Sequence, residues 1–351
     1  MTYYCNEIFG AVDRDTSLFV LPMRPAFTDF AEYEGMFMVT DASKLQGVWA
    51  DLLMPLNEDL SINHAKLYTH VQTLAAKGVH GLVLFGRCGE GVAFSPVERM
   101  ELVKFLIGQG VAGTDMLLNA STANMPDTVH LIRKTHSLGV KAFMLMPPLP
   151  DLDATDQGLV DFFSYIVRNL SGLNLRLYLS SLASPGQGDL NARAINELLS
   201  RHSQSFSGLI DQSPNASHTL DWIRSFAGLL PVYTTNDMSA QVVAGMGIHT
   251  GISSYANLIT KLMVRIVTES DAEKKISVTG NKIGHDDLLL AEFNQLLAHL
   301  PQIPALKYLL SSMYHDTAWL RVRPPLSALN TDSQEKLAKA FKKFNLNPNV
   351  F

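Results

Sequence analysis

Lysine is missing from the middle of this chain: none occurs between Lys141 and Lys261. Cysteine is nearly missing throughout, with only Cys5 and Cys88 among 351 residues. Two thiols cannot build a disulfide framework, which points to a reducing compartment. The opening Met1-Thr-Tyr-Tyr-Cys5 has neither the basic nor the apolar region of a signal peptide. No apolar run is long enough to span a bilayer, so no membrane is expected. These absences together predict a cytoplasmic chain. The formal net charge is only −5, and no Lys/Arg cluster stands out. Nucleic acid is therefore not an expected partner. What the chain has in quantity is apolar material: 47% hydrophobic against 17% charged residues, enough for a large core.

From about residue 47 an apolar run, a turn and a helical pattern repeat. The runs predict strands at Val48–Met54, Gly81–Phe85, Met116–Ala120, Ala142–Met146, Leu175–Ser180, Ser207–Asp211, Val232–Thr235 and Gly251–Ser254. Between them apolar residues recur every three or four positions, as in Leu67, Val71 and Leu74. Ser95-Pro96 with Glu98, and Asn124 with Pro126 and Asp127, carry helix-start signals. Eight such units predict a parallel sheet closed into a (β/α)8 TIM barrel. The alternative is an open doubly wound sheet, which often places a glycine-rich phosphate loop after its first strand. Pro55-Leu56-Asn57 stands there instead. The expected division is an N-terminal extension (1–44), the barrel (45–270) and a C-terminal helical segment (271–351). Helices are predicted at Leu258–Val267, Asp271–Leu300, Pro304–Ser312 and Thr331–Phe344.

A barrel of this kind carries its site at the C-terminal ends of its strands. The second strand ends in Gly86-Arg87-Cys88-Gly89-Glu90, the fourth in Met146-Pro147-Pro148-Leu149. The fifth carries Tyr178, and the sixth ends in Ile210-Asp211-Gln212. Three pieces resemble one family. They are Gly86-x-x-Gly89-Glu90, the run from Asn236-Asp237 through Gly245, Gly247 and Gly251-Ile252-Ser253 to Asn257, and Arg323-Pro324-Pro325-Leu326. In order and spacing they resemble the dihydrodipicolinate synthase/N-acetylneuraminate lyase family of class I aldolases, from about Gly47 to Phe344. The resemblance implies a lysine on the sixth strand that forms an imine with pyruvate or a related 2-keto acid. It also implies a tyrosine on the fifth strand for proton transfer, and a Gly-Thr-Thr-Gly-Glu loop whose N–H groups hold the carboxylate. No cofactor is implied, and homo-oligomers, dimers or tetramers, are.

The chemical positions depart from that pattern. Ile210 falls where the lysine is expected, and an isoleucine forms no imine. Arg87 and Cys88 replace the loop threonines, and Leu149 falls where the family has a tyrosine crossing a subunit interface. The segment from Leu179 to Asp189 has no arginine to anchor a second acid group. Tyr178 and Glu90 remain.

Several readings stay open. Arg87 can clamp a carboxylate, turn outward, or pair with Glu90 or Asp211. Cys88 lines the same loop; it can be a nucleophile if a base lowers its pKa, but no histidine stands at the strand ends to do so, and a buried small hydrophobe is the better reading. Asp211 can serve as general base, or join Glu90 and Asp237 at a metal, although no close-spaced ligand motif supports a metal. Tyr178 can relay a proton or hydrogen-bond in the core. His249 is expected at the bottom of the eighth strand, and Gly245 with Gly247 fits a turn as well as a phosphate site. Two functions fit these residues. One is a relative that still handles a small keto or hydroxy acid, held by Arg87 and worked on by Tyr178 with Asp211 or Glu90, by lyase-type chemistry without covalent catalysis. The other is an inactive pseudoenzyme that binds a ligand, regulates or acts as a scaffold.

Overall fold

A computed structural model describes residues 45–148, 154–182, 188–240, 243, 248, 250–268 and 284–343. The N-terminal extension, Leu149, Ser184-Pro185-Gly186, Gly245, Gly247, His249 and the first part of the predicted 271–300 helix lie outside the described residues.

Eight strands form the predicted barrel wall. They are β1 (Gly47–Asp51), β2 (Gly81–Leu84), β3 (Met116–Asn119), β4 (Ala142–Leu145), β5 (Arg176–Ser181), β6 (Phe206–Asp211), β7 (Val232–Thr234) and β8 (Thr250–Ser253). Their hydrogen-bonded order is β7-β6-β5-β4-β3-β2-β1-β8, with every pairing parallel. β7 lies against β8, so the two ends of the sheet meet. Parallel strands need crossovers, and helices supply them: α1 (His64–Ala76), α2 (Pro96–Gly108), α3 (Met125–Ser137), α4 (Asp156–Asn169), α5 (Ala192–Arg201) and α6 (Ala216–Ser225). After β8 come α7 (Thr260–Thr268), α8 (His285–Leu297), α9 (Gln302–Tyr314) and α10 (Thr331–Lys343). Barrel and C-terminal helices belong to one compact unit.

The helix-start signals work as the sequence suggests. Ser95 and Glu98 close a capping box on α2, with Pro96 inside the first turn. Asn124 accepts the Asp127 N–H at the start of α3.

One side chain from each strand meets in a buried central layer: Trp49, Val83, Leu117, Met144, Tyr178, Ile210, Tyr233 and Ile252. Strand side chains alternate between faces, so the residues two positions on point the same way, one layer nearer the C-terminal mouth. Among them are Asp51, Asn119, Met146, Ser180 and Gln212. Contacts across the lumen agree: the Gln212 amide donates to Ser180 Oγ at 2.8 Å and to Met146 Sδ at 3.2 Å.

One predicted strand end is corrected. β1 stops at Asp51, not at Met54. Leu52, Leu53 and Met54 are fully buried, which continues the apolar run, but the sheet does not continue with them. Asn257 fixes this exit. Its amide donates to Asp51 O at 2.7 Å, and its Oδ1 accepts the Leu53 N–H at 3.2 Å.

Candidate functional site at the barrel mouth

Local backbone needs shape the loop after β2. A Cβ at Gly89 would meet Leu52 O at 2.9 Å, and one at Gly91 would meet Phe85 O at 1.9 Å. Arg99, buried on α2, locks the loop from behind. Its guanidinium donates to the carbonyls of Gly91, Phe94, Asn119 and Ser121 at 2.6–3.2 Å. Burial lowers its pKa to about 10, which leaves it charged at neutral pH.

The loop wraps Asp51. The Cys88 N–H donates to Asp51 Oδ2 at 2.9 Å. Gly86 lies against the other oxygen: a Cβ there would stand 2.2 Å from Oδ1. Asp51 is only 5% exposed, and its Oδ1 has no hydrogen-bond partner. Beside the end of the neighbouring β8, Asp237 is also buried. Ser253 Oγ donates to its Oδ1; Ser254 Oγ and the Tyr255 N–H donate to its Oδ2 at 2.8 and 3.3 Å. Burial raises the pKa of each carboxyl from 3.8 to about 6, and the charge of Asp237 adds to the rise at Asp51. Cys88, bonded to Asp51 through its N–H, feels both charges. Burial, then the charges of Asp51 and Asp237, pushes its thiol up, which keeps it protonated and removes it as a nucleophile at neutral pH.

The residues predicted from sequence divide into two groups. Arg87 and Cys88 come to the mouth: Cys88 buried against Asp51, Arg87 exposed on the rim and in no ion pair among the described residues. Tyr178 and Ile210 sit one layer down, side by side in the central cluster and both 0% exposed. The Tyr178 ring meets that of Tyr233 edge-on at 5.8 Å.

Glu90 and Asp211 are held elsewhere, away from this group. Glu90 turns away from the mouth into a buried ion pair. Its Oε1 accepts from Lys307 Nζ of α9 at 2.7 Å, and its Oε2 accepts the Arg323 N–H at 2.7 Å. Asp211 follows an inward Ile210, so it faces the helix layer. It accepts from Thr219 Oγ1 at 2.6 Å and from the Ser213 N–H at 3.0 Å, with His218 Nδ1 at 3.1 Å. Its work is to hold the start of α6. Glu90, Asp211 and Asp237 do not converge, and no metal-ligand group occurs among the described residues.

Sequence reading missed Asp51 and Lys307. Asp51 was legible in principle: Trp49 is an inward residue, and Asp51 follows by two. Lys307 was not, because its partner lies 217 residues away.

Asp51→Asn should reveal the cost of the buried charge. A carboxyl with a raised pKa favours the folded state at low pH, and that contribution is lost as pH rises through 6. A rise from 3.8 to about 6 corresponds to about 3 kcal/mol. The stability of the variant relative to wild type should therefore grow by about 3 kcal/mol between acid and neutral solution. Urea titrations at several pH values measure it; a pH-independent difference would contradict the placement of Asp51.

Comparison with known proteins fits this geometry. Residues 44–344 match the model of the dihydrodipicolinate synthetase family. An uncharacterized DapA-like lyase of Chloroflexus aurantiacus is 24% identical over 300 residues, 85% of this chain and 96% of its own length. A 2-dehydro-3-deoxy-phosphogluconate/2-dehydro-3-deoxy-6-phosphogalactonate aldolase of Saccharolobus solfataricus is 22% identical, over 82% of this chain and 92% of its own. Among solved structures, dihydrodipicolinate synthase from Agrobacterium tumefaciens superposes with a TM-score of 0.75 at 22% identity, covering 86% of this chain and all of its own.

Proposed function

This chain belongs to the dihydrodipicolinate synthetase family, and on that premise we propose that it binds a small 2-keto or 2-hydroxy acid at its barrel mouth without forming an imine. The contrast between two layers carries the proposal. The central layer, where the family's lysine is expected, is apolar around Ile210. The layer above it is polar, with Asp51, Asn119, Ser180 and Gln212 as its floor and the Asp237 carboxylate alongside. A guanidinium on the rim suits a carboxylate, which it can grip through two N–H donors. Arg87 fills that role. Carboxyls with pKa values near 6 can both give and accept a proton near neutrality. Asp51 and Asp237 thus take over the proton transfer assigned from sequence to Asp211 and Glu90. Such a site supports lyase-type chemistry by proton transfer alone.

Two measurements test this. Incubation with pyruvate and borohydride should leave the intact mass unchanged; an adduct would restore imine chemistry and identify its lysine. Calorimetric titration with a panel of 2-keto and 2-hydroxy acids should give binding that Arg87→Ala weakens about tenfold or more. No binding across the panel would remove the acid site. Deuterium uptake into a bound keto acid then separates an enzyme from a ligand-binding relative.

A further inference from the structure

Asp211 also orients a histidine. Its side chain is fully buried, while that of His218, in the first turn of α6, is 36% exposed. Both carboxylate oxygens meet donors. Oδ1 accepts the Ser213 N–H at 3.0 Å and faces His218 Nδ1 at 3.1 Å; Oδ2 accepts from Thr219 Oγ1 at 2.6 Å. A carboxylate only accepts, so the ring proton of a neutral His218 must sit on Nδ1. That leaves the lone pair on Nε2. Nε2 has no hydrogen-bond partner and is not buried, so it is open to solvent. Trp222, one turn further along α6, packs on the imidazole with ring centroids 5.1 Å apart and restrains its plane.

A buried carboxylate on one ring nitrogen and solvent on the other make a nucleophilic imidazole. Further metal ligands do not accompany it among the described residues. Asp211 faces the helix layer, so the pair stands outside the lumen and apart from the acid site proposed above. We propose that His218 accepts a phosphoryl group on Nε2 from an activated donor of the phosphoramidate class, with Asp211 as the positioning residue. The Nε2 lone pair attacks phosphorus. The bond from phosphorus to the donor's ammonium breaks, and ammonia leaves with that electron pair. The ring becomes a cation that keeps its proton on Nδ1, and the Asp211 carboxylate neutralises it, as the acid beside the imidazole does in a catalytic triad. The new group brings negative charge to the third residue of a ten-residue helix, where the helix dipole favours an anion. A neutral acyl group would gain nothing from that position.

The test treats the full chain with potassium phosphoramidate in mildly alkaline solution and maps its peptides without acid, which would cleave the new bond. His218 should be phosphorylated about tenfold or more faster than His130 and His299, which are exposed and have no carboxylate partner among the described residues. Phosphorus NMR should place the group on Nε2. Asp211→Asn can donate its amide proton to Nδ1, which moves the ring proton to Nε2 and blocks the lone pair. Labelling of His218 should then fall to the rate of the other two. His218→Gln should remove the fast site and leave the slow labelling elsewhere unchanged. Nitrogen NMR of the unmodified wild type reads the tautomer directly, with the proton expected on Nδ1, and decides even where Asp211→Asn fails to fold. A proton on Nε2 in the wild type would overturn the proposal. So would labelling of His218 no faster than that of His130 and His299, or undiminished labelling in a folded Asp211→Asn chain.

Discussion

Lys307→Met should destabilise the folded chain by about 3–5 kcal/mol, the usual result of removing one partner from a buried ion pair. Lys307 and Glu90 are within 1% of complete side-chain burial and 2.7 Å apart. Burial pulls the pKa of Lys307 down, and the Glu90 charge opposes that pull. Without the ammonium, the Glu90 carboxylate stays buried with the Arg323 N–H as its other donor. It must then take a proton or drag water into the contact between α9 and the loop after β2. The double variant Lys307→Met with Glu90→Gln should recover most of the loss. A neutral amide can still accept the Arg323 N–H, and a methionine fills the lysine's volume. Urea denaturation of the four proteins gives the coupling energy directly. Additive losses would mean that the pair is not a unit. Because Glu90 anchors the loop that carries Arg87, acid binding should weaken in the single variant and return in the double.

The barrel was legible because every strand is an apolar run bounded by turn residues, and the observed strands differ from the predicted ones mostly by one residue at an end. The first strand shows where that signal fails. Leu52-Leu53-Met54 is as apolar as the strand before it, yet it is buried outside the sheet. Extending the strand over it turned Asp51 from a mouth residue into an interior one. At β6 the error had another source. Ile210 falls in the central cluster, and alternation then turns Asp211 outward, where Thr219 and the Ser213 N–H hold its carboxylate; the charge of Asp211, and not its side of the strand, drew the role read from sequence. The Glu90–Lys307 pair joins segments 217 residues apart, so no local pattern encodes it. Fold follows from short-range periodicity, whereas the polarity of a mouth depends on which residue of each strand is inward and on contacts made across the chain. The first is written densely in the sequence. The second turns on single residues, where a shift of one position reverses the conclusion.

Ile210→Lys should give a chain that traps pyruvate under borohydride where the wild type does not. Ile210 shares the central layer with Tyr178, and the floor of the mouth lies one layer higher. Two residues along a strand span about 6.6 Å. The four-carbon stem of a lysine covers about that distance, so its amine can rise from the apolar layer to the polar one while its methylenes replace the isoleucine. There it meets Ser180 and the carboxylate of Asp51. Partial burial lowers the amine's pKa while the Asp51 carboxylate raises it, so the free amine that imine formation requires should become more abundant, and trapping faster, as pH rises. The amine then adds to the keto carbon, water leaves, and borohydride reduces the imine to a stable secondary amine. A stability loss of roughly 1–3 kcal/mol is expected from opening a fully buried position. Intact mass and peptide mapping should place one reduced pyruvate on the new side chain, and Ile210→Met should carry none. A folded Ile210→Lys chain without an adduct would mean that the edge-on rings of Tyr178 and Tyr233 close the lumen below the mouth. The departure from imine chemistry would then involve the packing of a whole layer as well as the loss of one amine.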